Sequence, residues 1–307
     1  MLRSSALPLI LLLPVLAGLP AAERGTVEAP LRVLLVPADG GTEEGTKADF
    51  VPIFTAIQRS HGLHVDIRVG QSYAAVVEAM ANAQADIGFF GAVTYLQTRE
   101  RKGAELLAVA VEKGQSIYYS GIFVRKDSGL SGPSALAGRS LAVGDVNSTS
   151  SFGYPLAMLI AAGIDPVRDL GKIIIAGSHA NSLAALKEGK VDAACASFDS
   201  YEKAVNQGAI DPTQVVVLAK SEPIPYPPLA MHPDLPDATK AKLRDAFANV
   251  HTAPGVTPEM IRGYGGKKVD RYDVTVSEEV FTAAGAKLAA ITDELKAALV
   301  KKAAEAQ

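Results

Sequence analysis

Short apolar runs alternate along this chain with segments whose apolar positions recur every three or four residues. The run 31–37 (Leu-Arg-Val-Leu-Leu-Val-Pro) reads as a buried strand, and helical spacing follows over 49–59. Alternation over 64–69 predicts a strand, 73–83 a helix with Ala74, Val77, Met80 and Ala81 on one face, and 86–90 a strand ending at Gly91. A helix over 93–101 and a strand over 106–111 complete a first βαβαβ series. After a long extended segment, 118–124, the series begins again. Strands are predicted at 140–144, 172–175, 191–196 and 215–219, with helices at 150–162, 181–187 and 201–205. A Pro-rich stretch, 223–228, leads to an extended 229–231, and helices are predicted over 238–250 and 278–304. Strands alternating with helices predict α/β architecture, with mainly parallel sheets flanked by helices.

Two such series suggest two lobes with a ligand cleft between them. We place the crossings near 122–126 and 221–226. Lobe one is then 30–122 plus 224–307, and lobe two is 123–223. The extreme N-terminus stands apart. Arg3 precedes the apolar run 6–17, and the small residues Gly18, Ala21 and Ala22 precede the first polar pair, Glu23-Arg24. A positive start, an apolar centre and small residues predict a secretory signal peptide over 1–22. The run is too short and too broken by Pro8 and Pro14 for a membrane span of ~20 residues. The remaining chain is expected to be exported and not membrane-embedded.

Composition narrows the function. The chain has 307 residues, of which 48% are hydrophobic and 21% charged, so it buries ordinary cores and is not disordered. Its 30 Lys and Arg against 33 Asp and Glu leave no basic excess to meet a phosphate backbone, which argues against nucleic-acid binding. A single Cys, Cys195, excludes an internal disulfide and a Cys-based zinc site, and the scattered His61, His64, His232 and His251 have no metal-ligand spacing. No cofactor is implied.

Candidate chemistry gathers where strands hand over to helices. Ser148-Thr149-Ser150-Ser151 opens a predicted helix with four hydroxyls, where one would cap it. Hydroxyls, free amides and the positive helix end together suit an oxyanion. His179, after Gly177-Ser178, occupies the next junction, and Ser197-Phe198-Asp199-Ser200 the third, on the rim where open α/β sheets bind ligands. In the first series, Tyr73 and Tyr95 occupy equivalent ends, where a phenolic O–H can donate across a cleft. A rival reading is an exported hydrolase with Cys195 or Ser150 as nucleophile, the former with His179 and Asp199. No Gly-x-Ser-x-Gly elbow supports it.

Taken together, several of these segments resemble the periplasmic substrate-binding proteins of phosphonate, phosphite and phosphate ABC transporters, which have the type II periplasmic binding fold. The carriers are 73–80 (Tyr-Ala-Ala-Val-Val-Glu-Ala-Met), 85–91 with Tyr95, Ser148-Thr149-Ser150 with Pro155, Gly177-Ser178-His179, 189–194 and 221–225. The resemblance spans about residues 31 to 290 and implies a periplasmic, non-enzymatic binder of a small tetrahedral oxyanion, with an ABC transporter permease as partner. It implies that Ser148, Thr149, Ser150, His179, Tyr73 and Tyr95 hold the head group, and that Asp199 meets an amine substituent. Two positions depart from the family pattern. Ser151 stands where Gly is usual, and Pro227-Pro228 stands where Asp-Pro is common, so a carboxylate that accepts a ligand proton is replaced. Relatives of this kind also sense arsenite beside a membrane histidine kinase, which makes sensing the alternative role.

Overall fold

The computed structural model describes residues 23–38 and 43–305, so the expected signal peptide lies outside the described residues. The first series forms β1 (Leu31–Leu35), α1 (Glu43–His61), β2 (Val65–Val69), α2 (Tyr73–Ala81), β3 (Ile87–Phe89), α3 (Ala92–Glu100) and β4 (Glu105–Val111). Then β5 (Ile117–Tyr118) and β6 (Ser120–Arg125) divide the single extended segment expected there. The second series forms β7 (Ser140–Val143), a π turn (Thr149–Gly153), α4 (Tyr154–Ala161), β8 (Lys172–Ile175), α5 (His179–Lys187), β9 (Ala193–Ser197), α6 (Phe198–Asn206) and β10 (Val215–Lys220). The chain closes with β11 (Ile224–Pro225), β12 (Pro228–Met231), α7 (Asp237–Asn249), β13 (Arg271–Asp273), α8 (Glu279–Ala286) and α9 (Asp293–Glu305).

The strands form a six-stranded sheet, β13-β4-β12-β3-β1-β2, and a five-stranded sheet, β10-β6-β9-β7-β8. In the first, β1, β2 and β3 pair in parallel, and β12 returns antiparallel between β3 and β4. In the second, β7, β8 and β9 pair in parallel, and β6 enters antiparallel beside β9. Helices cover both faces, so strands such as β9 (Ala-Ala-Cys-Ala-Ser) are buried at every position. Each fully buried Leu, Ile or Phe stabilises the fold by roughly 1.5–3 kcal/mol relative to exposure. The first core holds Phe50, Phe54 and Phe247, and a second gathers Phe123, Leu183 and Leu186.

Two segments join the sheets. β5 and β11 pair antiparallel as a small ribbon, and Ser221 N–H donates to the Ser120 carbonyl at 2.9 Å. The boundary expected at 122/123 therefore falls inside β6, a strand of the second sheet. The long C-terminal helix expected over 278–304 is two helices, interrupted over 287–292. The second does not return to the first sheet. α9 packs on β8, buries Leu299 and directs Lys302 Nζ to the carbonyls of Val167 and Leu170. Although α9 is rich in Lys and Glu, an apolar stripe and the hydrogen-bonded Lys302 seat it on the second lobe.

Candidate anion-binding cleft

Open α/β sheets present helix N-termini at the carboxyl ends of their strands. Here four such starts, two from each sheet, converge on one cavity. They are Tyr73 at the head of α2, Gly91 capping α3, the π turn at Ser148–Ser150, and His179 at the head of α5. Val36, Ala38, Phe89, Phe90, Tyr118, Pro227 and Tyr264 complete the wall. The space between these walls is narrow, suited to a small ion rather than a nucleotide-sized ligand. Among the described residues, no lining side chain carries a formal charge at neutral pH.

The hydroxyls are oriented by what they accept. Ser148 Oγ takes the Ser151 N–H at 3.1 Å and the Ser151 O–H at 2.8 Å. A serine hydroxyl has two acceptor sites and one proton, so its own proton is left to donate. Thr149 Oγ1 takes the Val93 N–H at 2.9 Å across the cleft and is left in the same condition. The lobes approach so closely here that a Cβ on Gly91 would lie 2.9 Å from Thr149 Oγ1. The Ser150 carbonyl accepts from Ser120 Oγ at 2.7 Å, which anchors the turn to β6. As at any helix start, the first N–H groups of the turn have no intrahelical acceptor.

His179 is 1% exposed, and its Nδ1 accepts the Ser197 N–H at 2.9 Å. Burial pushes its pKa down to about 3. The ring is therefore neutral, with its proton on Nε2, and offers a dipolar donor rather than a positive charge. Its own backbone N–H donates to the Ala38 carbonyl at 3.1 Å, a second direct bond between the lobes. Beside the ring lies Tyr264, with centroids 6.1 Å apart, whose hydroxyl meets Ser200 Oγ at 2.8 Å. Burial raises the pKa of Tyr118, so it stays a neutral phenol.

Of the residues singled out in the sequence, Tyr73, Ser148, Thr149, Ser150 and His179 come together in this cavity. Tyr95, Ser151 and Asp199 do not line it. The Tyr95 hydroxyl donates to Glu278 Oε1 at 2.9 Å, and its ring packs edge-on to Phe281, so it fastens α3 to α8. Ser151 stands three residues after the N-cap Ser148 and points back to it, spending its hydroxyl on the cap. Asp199 lies 3.5 Å from Lys267 Nζ, an ammonium that also reaches Glu112 at 3.0 Å and Glu202 at 3.2 Å. These groups line an adjoining cavity that shares Tyr118. Tyr118, within a run read only as extended, and Tyr264 are the lining hydroxyls that sequence reasoning did not assign. Pro227, the departure from the family pattern, does reach the wall and brings no proton acceptor to it.

Cys195 lies mid-strand in β9, fully buried, with its thiol pKa pushed up by that burial. The three residues of the hydrolase reading do not assemble. His179 Nδ1 faces the Ser197 amide, and Asp199 faces Lys267. The native protein is accordingly expected to resist iodoacetamide at pH 8 and to react once unfolded in urea, with alkylation followed by mass spectrometry. Rapid native labelling would contradict the buried strand position.

Two helix-flanked sheets linked by a short ribbon, with a polar cavity between their strand ends, define a two-lobed binding protein of the type II periplasmic fold. Among solved structures, it is similar to a binding protein component of an ABC phosphonate transporter from Pseudomonas aeruginosa (TM-score 0.73, 21% identity, 90% of this chain and 96% of that one). It is also similar to PhnD1 from Prochlorococcus marinus, solved with methylphosphonate (TM-score 0.69, 17% identity, 84% of this chain and 97% of that one). Residues 41–271 match the family of ABC transporter, phosphonate, periplasmic substrate-binding proteins, and the chain belongs to that family. Curated relatives are the phosphonates-binding periplasmic protein of Escherichia coli, 26% identical over 71% of this chain, and the phosphate-import protein PhnD of Mycolicibacterium smegmatis, 28% identical over 69% of it. The aligned region spans 64% of the E. coli protein, just under two thirds of its length, and 69% of the M. smegmatis protein. Among the described residues, no helix is long and apolar enough to cross a membrane.

Proposed function

We propose that this protein captures a small tetrahedral oxyanion of phosphorus (a phosphonate, phosphite or phosphate) in the periplasm and delivers it to an ABC transporter permease. The observation that carries this reading is the narrow cavity at which four helix N-termini meet oriented hydroxyls and a neutral imidazole. A helix start favours an anion by roughly 0.3–1 kcal/mol at an exposed site and up to about 2 kcal/mol where partly buried, and hydrogen bonds to a charged acceptor add about 1.5–3 kcal/mol each. Ser148, Thr149 and Ser150 donate from one lobe, Tyr73 from the other, and His179 through Nε2. The names of the curated relatives and of the family, which refer to phosphonates and phosphate, support the same class of ions here.

In this reading the first lobe comprises 23–119 and 221–292, and the second comprises 120–220 together with α9. Closure of the lobes performs capture without covalent chemistry. His179 supports a binder rather than an enzyme. Its burial opposes protonation and its Nδ1 is occupied, so it is a poor general base for Ser150. The stretch 1–22 serves as the export signal. Cys195 offers no accessible thiol to arsenite, which leaves oxyanion uptake as the better-supported role.

A thermal-shift panel on the chain lacking residues 1–22 tests the assignment, with methylphosphonate, aminoethylphosphonate, phosphite, phosphate, sulfate and arsenite at matched concentrations. A ligand at ~100 times its Kd adds about 2.7 kcal/mol of stability, a clear rise in Tm. A rise with a phosphorus oxyanion supports the proposal. A rise with arsenite or sulfate alone, or none at all, overturns it.

A further inference from the structure

We propose that Asp49 and Lys203 form a clasp that holds the two lobes closed and sets how long a ligand stays in the cleft. The inference rests on the two-lobed binding reading above and adds positioning residues that never touch the ligand. Asp49 lies in α1, which packs against the first sheet, and Lys203 lies in α6, which follows β9 of the second. Lys203 Nζ donates to both carboxylate oxygens of Asp49, at 2.7 and 2.6 Å. The two side chains are only 13% and 8% exposed, so this is an ion pair largely removed from water rather than a surface contact. Neither residue lines the hydroxyl-rich cavity.

The pair sits in a strip of contacts running outward from that cavity along α6. Tyr264 meets Ser200 at its inner end, Asp49 meets Lys203 one turn further along the helix, and Lys267 meets Glu202. Gly266 lets the strip close. Its φ is +69°, and a Cβ there would lie 2.7 Å from Asp49 Oδ1. Opening the cleft must part Lys203 from Asp49 and return both to water. With one partner removed, closing would bury the remaining charge without this ion pair, which disfavours the closed state. The pair therefore makes closure depend on correct registration of α6 against α1, and the ligand cannot leave until that registration is lost.

The test uses Lys203→Met, Asp49→Asn, the Lys203→Met/Asp49→Leu double variant and the charge-reversed Lys203→Asp/Asp49→Lys pair. With methylphosphonate or phosphate as probe, whichever the wild type binds, each single variant is expected to raise koff at least tenfold. The expected change in kon is less than threefold. The double variant is expected to lose no more than either single one, and charge reversal to restore part of the loss. Small-angle scattering without ligand gives a readout independent of ligand identity, in which both single variants are expected to have a larger radius of gyration than the wild type. Equal scattering radii, or single-variant koff within twofold of wild type, would overturn the clasp. Absence of anion binding by the wild type would instead count against the ligand assignment and leave the scattering comparison to decide the clasp.

Discussion

Replacing Thr149 with Val is expected to weaken oxyanion binding about a hundredfold, the largest single effect in the cleft. Thr149 Oγ1 does two things at once. It accepts the Val93 N–H from the opposite lobe at 2.9 Å and leaves its own proton to donate into the cavity. Valine keeps the volume and the branched shape but removes both interactions. Loss of a donor to a charged acceptor costs about 1.5–3 kcal/mol, and the Val93 N–H is left facing a methyl group in the closed state. About 2.7 kcal/mol corresponds to a hundredfold change in Kd. Thr149→Ser keeps the oxygen and its proton and should bind within a few-fold of wild type. Calorimetry on both variants decides the matter. Equal affinities for Val and Ser at this position would mean that the hydroxyl does not hold the ligand, and the site assignment would fall with it.

Much of this cleft was legible because its parts sit at strand-to-helix junctions. A buried strand announces itself as an apolar run and a following helix by its spacing, so the handover can be located within a few residues. Tyr73, Ser148 to Ser150 and His179 all occupy such positions. Tyr95 does not. It lies one turn inside α3, where the direction of its ring depends on which neighbour the helix meets, and that neighbour is Phe281 of α8, far along the chain. Ser151 stays out of the cavity lining for a local reason. Its three-residue spacing from Ser148 is that of an N-cap pair, so the fourth hydroxyl completes the cap instead of lining the cavity.

The residues missed share a different cause. Tyr264 sits in a short 3-10 turn between Gly263 and Gly265, with no periodicity to mark it, and enters the cavity only because the chain returns past β12 to the first sheet. The break over 287–292 was hidden by helix-forming composition on both sides. Thr292 supplies the local signal, since its Oγ1 accepts the Leu295 N–H and restarts the helix as α9. The interlobe pair Asp49–Lys203 had no signature at all. Two charges 154 positions apart in sequence look like any others until the sheets are assembled.

The imidazole of His179 should make the protein acid-sensitive in a way that one substitution removes. In the unfolded chain histidine titrates near 6.5, and in the folded protein burial holds His179 at about 3. Between those values the unfolded chain takes up a proton that the native state refuses. Stability is therefore unaffected by this group above pH 6.5 and falls as the pH drops below it, by up to about 1.4 kcal/mol per pH unit. By pH 4 the loss amounts to about 3 kcal/mol, a large share of the 5–15 kcal/mol that typically holds a protein folded. In His179→Asn, the Asn Oδ1 is placed to accept the Ser197 N–H in place of Nδ1, so the fold keeps its bond and loses the titrating group. Urea unfolding from pH 7 to 4 should show a steeper decline for the wild type than for this variant. Other acid-titrating groups are common to both and cancel in the difference. The same variant lacks the Nε2 donor and should bind the oxyanion at least tenfold more weakly at pH 7. Wild-type affinity, corrected for the ligand's own ionisation, should show no inflection near pH 6.5. Parallel stability curves, or such an inflection, would mean that His179 gains a proton in the folded cleft and acts there as a cation.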